Sequence, residues 1–174
     1  MIHRLFSLLF LRLAGSISDS LLSSSHRVEA ENRGGLMSEQ QNLEVVRSVY
    51  AAFGRGDVEG ILALLDPQVS WRTPGPPDLP TAGLRRGIVE VREFFGVLLN
   101  TFDLQEFRPT DFLTGGEKVV VLGTSREGPK GAGRLVDFRW VHVFTFRNGK
   151  IAEFEEPADV SAVVDEFRRA HVRT

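Results

Sequence analysis

Trp140-Val-His-Val-Phe-Thr-Phe-Arg-Asn-Gly-Lys-Ile-Ala-Glu-Phe-Glu-Glu-Pro-Ala-Asp159 is the stretch whose reading decides the fold. Asn148-Gly149 is a strong short-range hairpin signal, because both loop positions of a type I′ turn need positive φ. The flanking runs are rich in Val, Phe, Trp and Thr, which pack well on a pleated surface. A two-residue loop pairs Arg147 with Lys150. Counting outward then sets Phe146 against Ile151, Phe144 against Glu153, His142 against Glu155 and Trp140 against Pro157. These four later pairs share one face with Phe138 and Val136. That face is apolar and aromatic, so it is expected on the concave side of a sheet, under helices. The opposite face, with Asp137, Arg139, Val141, Val143, Thr145, Phe154 and Glu156, is mixed.

Upstream of the hairpin the pattern stays strand-like as far as Leu104. Leu104 to Leu113 leads through Gly115-Gly116 into Lys118-Val-Val-Val-Leu122, apolar on both faces as a central strand should be. Gly128 to Gly133 forms a further turn, and Arg134 opens the long strand to Arg147. Before Leu104 the period changes to that of helices. Leu43, Val46, Val49/Tyr50 and Phe53 mark the first, stopped by Gly54 and Gly56. Asp57 is a natural N-cap for a short second helix with Val58, Ile61, Leu62 and Leu65, closed by Asp66-Pro67. A strand from Gln68 to Thr73 and a stiff Pro-rich loop from Pro74 to Pro80 follow, and then a third helix from Gly87 to about Thr101. A last helix is expected over Asp159 to Arg169. Helix, helix, strand, helix and a run of antiparallel strands make an α+β arrangement, with helices on one face of a curved sheet.

The 174 residues, 42% of them hydrophobic, suffice for one substantial core but are short for two. Residues 37–174 read as that one domain. Residues 1–36 have a different composition: Met1-Ile-His-Arg-Leu-Phe-Ser-Leu-Leu-Phe-Leu-Arg12 and then a Ser-rich polar stretch. Arg12 cuts the apolar run at the lower length limit of a secretory signal, and Ser16 stands where a lipid-bearing Cys would be needed. The preferred expectation is a start at Met37, before the capping box Ser38-Glu-Gln-Gln41, with a cytoplasmic protein. Export, should residues 1–36 act as a signal, is the alternative, followed by a transit peptide or a true, disordered tail.

A formal net charge of -2, without a basic stripe, argues against nucleic acid as a partner. No segment approaches the roughly 20 apolar residues of a membrane-spanning helix. Cysteine is absent, and His3, His26, His142 and His171 have no ligand spacing. No metal and no cofactor are expected.

The runs Val45-Val-Arg-Ser-Val-Tyr-Ala-Ala-Phe-Gly-Arg-Gly-Asp57, Gly87-Ile-Val-Glu-Val-Arg-Glu-Phe-Phe95 and Trp140 to Asp159, in that order, resemble the SnoaL-like and ketosteroid isomerase-like branch of the nuclear transport factor 2-like superfamily. The resemblance spans roughly residues 43–168 and implies a cone-shaped, cystatin-like α+β fold with a pocket inside. The superfamily includes isomerases, cyclases, epoxide hydrolases and non-catalytic binding modules, so the fold alone does not name an activity. It also implies a homodimer, here through the outer sheet face. Aligned by eye, ketosteroid isomerase's catalytic tyrosine falls at Val49, its base at Thr73 and its oxyanion-hole acid at His142, so genuine steroid isomerase chemistry is not expected. The epoxide hydrolases' Arg between two Asp residues has only Asp137 and Arg139 as a counterpart, on the outer face.

His142 and Glu155 are expected to meet inside a greasy cavity, where an unpaired charge is costly. A carboxylate orients a neighbouring imidazole, and His exchanges protons near neutral pH, so this pair is the candidate acid/base centre. Equally, such a histidine is a satisfied core residue. Asp159 stands where SnoaL-like cyclases resemble one another in carrying an acid before the last helix, though an Asp there is also an ordinary N-cap. Tyr50, Phe53, Trp71, Phe95, Trp140 and Phe144 are the candidate pocket residues, for a small apolar ligand. Arg85 and Arg86 follow the Pro-rich loop and could frame the mouth of the cavity. Three functions fit: an acid/base isomerase or cyclase on an apolar carbonyl compound, a binding module without chemistry, or a dimerisation domain whose cavity is filled by some of the 13 Phe rings.

Overall fold

Six strands form one mixed sheet in the order β2-β1-β6-β5-β4-β3, in a computed structural model that describes residues 38–131 and 134–172. The expectations for residues 1–36 lie outside the described residues. Helix α1 covers 38–54 and α2 Val58–Leu62, followed by β1 Leu65–Thr73, β2 Gly83–Arg86 and α3 Gly87–Thr101. The remainder is β3 Phe102–Gly115, β4 Lys118–Pro129, β5 Val136–Arg147, β6 Lys150–Glu155 and α4 Ser161–Val172. This is the α+β architecture expected, with one strand added. The β2 strand pairs antiparallel with β1, setting Trp71 against Arg85. Its four residues alternate too weakly to signal a strand, and it forms because the loop before it folds back along β1.

Helix α1 buries Val46, Val49 and Ala52 on one stripe, and α3 buries Val91, Phe94 and Phe95. Gly56, at φ 68, takes the left-handed conformation that ends the first helical segment. Asp57 accepts from Gly60 N at 2.8 Å and so caps α2 as its sequence predicts. The second helix stops earlier than expected. Asp66 and Pro67 belong to β1, which runs parallel to β6.

The hairpin turn is as read, with Asn148 at φ 52 and Gly149 at φ 73 and with Arg147 opposite Lys150 and Phe146 opposite Ile151. Beyond that the ladder slips. Ala152 is an extra residue, so Thr145 faces Glu153, Phe144 faces Phe154 and Val143 faces Glu155. Ile151 and Ala152 are both buried, the mark of a bulge in a strand that otherwise alternates. Because side chains alternate with period two, the slip reverses the inward set of β6. Phe154 turns inward and stacks on Trp71 with ring centroids 3.8 Å apart, while Glu153 and Glu155 face outward. The expected pairing of His142 with Glu155 is thereby corrected.

Two apolar clusters result. The larger joins α1, α2, α3 and the inner face of the sheet. The smaller gathers Leu79 from the Pro-rich loop, Phe102, and Val163, Val164 and Phe167 of α4. Burying each such side chain contributes about 1.5–3 kcal/mol. Among the described residues no helix is long and apolar enough to cross a membrane.

Candidate functional site

Between the two clusters lies a cavity of about 110 Å³, where one water needs about 10–15 Å³. Tyr50, Phe53, Trp71, Phe95, Trp140 and Phe144 all line it. Its walls are mostly apolar, with aromatic rings the largest part of them. Trp140 stacks on Phe107 with centroids 4.8 Å apart and on His142 at 4.1 Å. Gly123, opposite Trp140 on β4, makes room for this stack, since a Cβ there would stand 2.1 Å from the indole Cζ2.

His142 projects inward from the middle of β5 and is 8% exposed. Its Nδ1 is 2.9 Å from the hydroxyl of Tyr50, which α1 delivers beside the buried Val49. Its Nε2 is 3.8 Å from Glu156 Oε1. Burial, and then the charge of Glu156, push the Tyr50 phenol well above its ordinary range, so it keeps its proton. A protonated phenol donates to Nδ1. That assigns the neutral ring its hydrogen on Nε2, aimed at the Glu156 carboxylate.

A second carboxylate completes the cluster. The inward positions of β4 run Val119, Val121, Gly123, Ser125 and Glu127, and the last two line the cavity with Glu156. Burial, reinforced by the charge of Glu156, pushes Glu127 up to about 7. The Ser125 hydroxyl opposes this, but its Oγ has no hydrogen-bond partner in good geometry among the described residues, so burial decides. The indole N–H groups of Trp71 and Trp140 are also buried without a partner there. Thr73 closes the rim, its hydroxyl donating to the carbonyl of Thr81.

Glu155 and Asp159 do not join this cluster. Glu155 is exposed and lies 4.0 Å from the Arg72 guanidinium. Asp159 accepts from the backbone N–H of Ser161 at 3.0 Å and from its hydroxyl at 2.7 Å, at the entrance to α4. The Ser161 hydroxyl, and then its N–H, hold the Asp159 carboxyl below the usual range. Arg85 is not free to meet a ligand: it donates to the carbonyls of Pro80, Thr81 and Gly83 and lies 5.2 Å from the Phe94 ring centroid. It pins the Pro-rich loop, which Arg168 holds at the other side through two bonds to Asp78.

Sequence reasoning missed Glu127, Ser125 and the inward turn of Glu156. For the first two a signal existed, since every second residue from Val119 continues the inward row. Glu156 depends on the bulge, whose only trace is the small Ala152 after Ile151.

A curved sheet with helices on its inner face and a lined cavity between them places the chain in the nuclear transport factor 2-like superfamily. Within it, the chain belongs to the SnoaL-like domain family, whose pattern matches residues 46–154. Among solved structures it is similar to a nuclear transport factor 2-like protein of unknown function from Burkholderia pseudomallei K96243, at 33% identity and a TM-score of 0.68, over 73% of this chain and 97% of that one. A nuclear transport factor 2-like protein from Burkholderia xenovorans LB400 is 29% identical, with a TM-score of 0.68 over 74% and 97% of the two chains. TerC, co-crystallized with polyporic acid, is also 29% identical, with a TM-score of 0.65 over 74% and 98%. No curated protein matches the chain.

Proposed function

We propose that the chain binds a compact, largely apolar carbonyl compound and moves a proton on it, as an isomerase or cyclase. One observation carries this reading: a buried polar cluster, Tyr50–His142–Glu156, with Glu127 and Ser125 beside it, in a cavity whose other walls are mostly apolar. Buried polar clusters oppose packing, so a core serving only stability would be better filled with apolar groups. With Nδ1 accepting from Tyr50 and the ring hydrogen on Nε2, His142 donates from Nε2 to the ligand's carbonyl oxygen. The Glu156 carboxylate beside it takes the α-proton and returns it. TerC, a similar structure, was co-crystallized with polyporic acid, which supports a small organic molecule as the kind of ligand.

The test uses the full chain and β-tetralone, a neutral bicyclic ketone. A bound ketone at about 100 times its dissociation constant should stabilise the fold by about 2.7 kcal/mol. Proton NMR in deuterium oxide should show exchange of its α-hydrogens accelerated by the protein. His142→Ala should slow that exchange about a hundredfold while the thermal shift survives. Exchange that is not accelerated, or is indifferent to His142→Ala, defeats the catalytic reading.

A further inference from the structure

Glu127 and Glu156 reach one cavity from β4 and from the segment after β6, and among the described residues no Lys or Arg lines it. The one basic group facing them is His142 on β5, and its Nδ1 already accepts from Tyr50 on α1. Two carboxylates held in an apolar enclosure without a matching cation are unfavourable in the empty protein. Phe102, Phe107 and Phe138 line the same cavity, and aromatic ring faces attract a positive charge. Independently, Trp140 and Trp71, 2% and 4% exposed, line the same cavity, and their indole N–H groups are buried without a partner among the described residues. Buried donors of this kind normally meet an acceptor.

We propose that the natural ligand is an apolar molecule bearing both a basic nitrogen and a carbonyl or ether oxygen. The protonated nitrogen is held by Glu127 and Glu156, and the oxygen accepts from an indole N–H. This deepens, and rests on, the reading of the cavity as a ligand site. The arrangement discriminates by charge. An anionic molecule of the same shape meets two carboxylates and is excluded, and a neutral one forgoes the charge-assisted bonds that an ammonium makes.

The experiment is isothermal titration calorimetry of the full chain with three size-matched probes, naphthylmethylamine, naphthalenemethanol and naphthoate, at mildly alkaline pH. The amine should bind about tenfold or more tighter than the alcohol, and naphthoate should bind weakest. Glu127→Gln, nearly isosteric, should remove most of the amine's advantage over the alcohol, and an unchanged circular dichroism spectrum reports that the variant is folded. Glu156→Gln should act in the same direction. An alcohol that binds as well as the amine, a preference for naphthoate, or an amine advantage that survives both substitutions overturns the charge assignment while the ligand site stands. If none of the three probes binds, the ligand site itself falls with it.

Discussion

Glu155 and Glu156 are neighbours in sequence and strangers in environment. Glu155 stands on the outer face with most of its side chain in water, 4.0 Å from an equally exposed Arg72. Glu156 faces the cavity, with its side chain 18% exposed, beside a buried histidine and within the electrostatic reach of Glu127. The chemistry of the two carboxyl groups is identical. What differs is the medium: high-dielectric water screens the outer one, and the enclosure amplifies every charge near the inner one.

The largest expected effect is on proton transfer. Glu156→Gln keeps the shape of the side chain and removes its charge, so the α-proton exchange proposed above should fall about a hundredfold. Glu155→Gln should leave the rate within about twofold of the original, since an exposed pair contributes little. Equal losses from the two substitutions would mean that the bulge at Ala152 does not set which carboxylate reaches the cavity. The comparison would then collapse.

The next effect is on stability as pH changes. The carboxyl of Glu127 is raised to about 7 in the fold, where Tyr50, His142 and Glu156 face the cavity with it. In the unfolded chain it reverts to the ordinary glutamate value, so between the two values the folded state holds the extra proton. Its contribution to stability is therefore complete below the unfolded value and declines as pH rises through about 7. Glu127→Gln should abolish this decline and make the protein more stable than the original by about 1–3 kcal/mol in alkaline solution. Urea titrations at acid and alkaline pH measure the difference. A decline that persists unchanged in the variant would assign it to another group.

The smallest effect lies on the outer face. Arg72→Ala, which removes the partner of Glu155, should cost no more than about 1 kcal/mol, and less at high salt. A larger loss in the same urea titrations would show that the outer pair is structural. The contrast between the two faces would then be one of role rather than of solvent.

Much of the fold was legible because its signals are local. The Asn148-Gly149 turn, the Asp57 cap and the stripes of α1 and α3 each rest on a few adjacent residues whose conformational preferences agree with the final structure. β2 was not legible, because Gly83–Arg86 becomes a strand only by pairing with β1. For the site, the inward row of β5 identified Trp140, His142 and Phe144 as cavity residues, and helical spacing identified Tyr50 and Phe53. The partner of His142 was misread. A register counted from a turn carries any slip forward without correction, and one extra residue exchanges Glu155 for Glu156.

The sequence by itself determined the kind of fold, the aromatic character of the inner face and the presence of a histidine within it, because alternation and helical period are written residue by residue. Only the tertiary structure decided which acids meet that histidine, that Glu127 joins them from another strand, and that Arg85 is held by its own loop. Those choices rest on contacts between residues far apart in the chain, where a single bulge or a folded-back strand changes the neighbours without changing the local pattern.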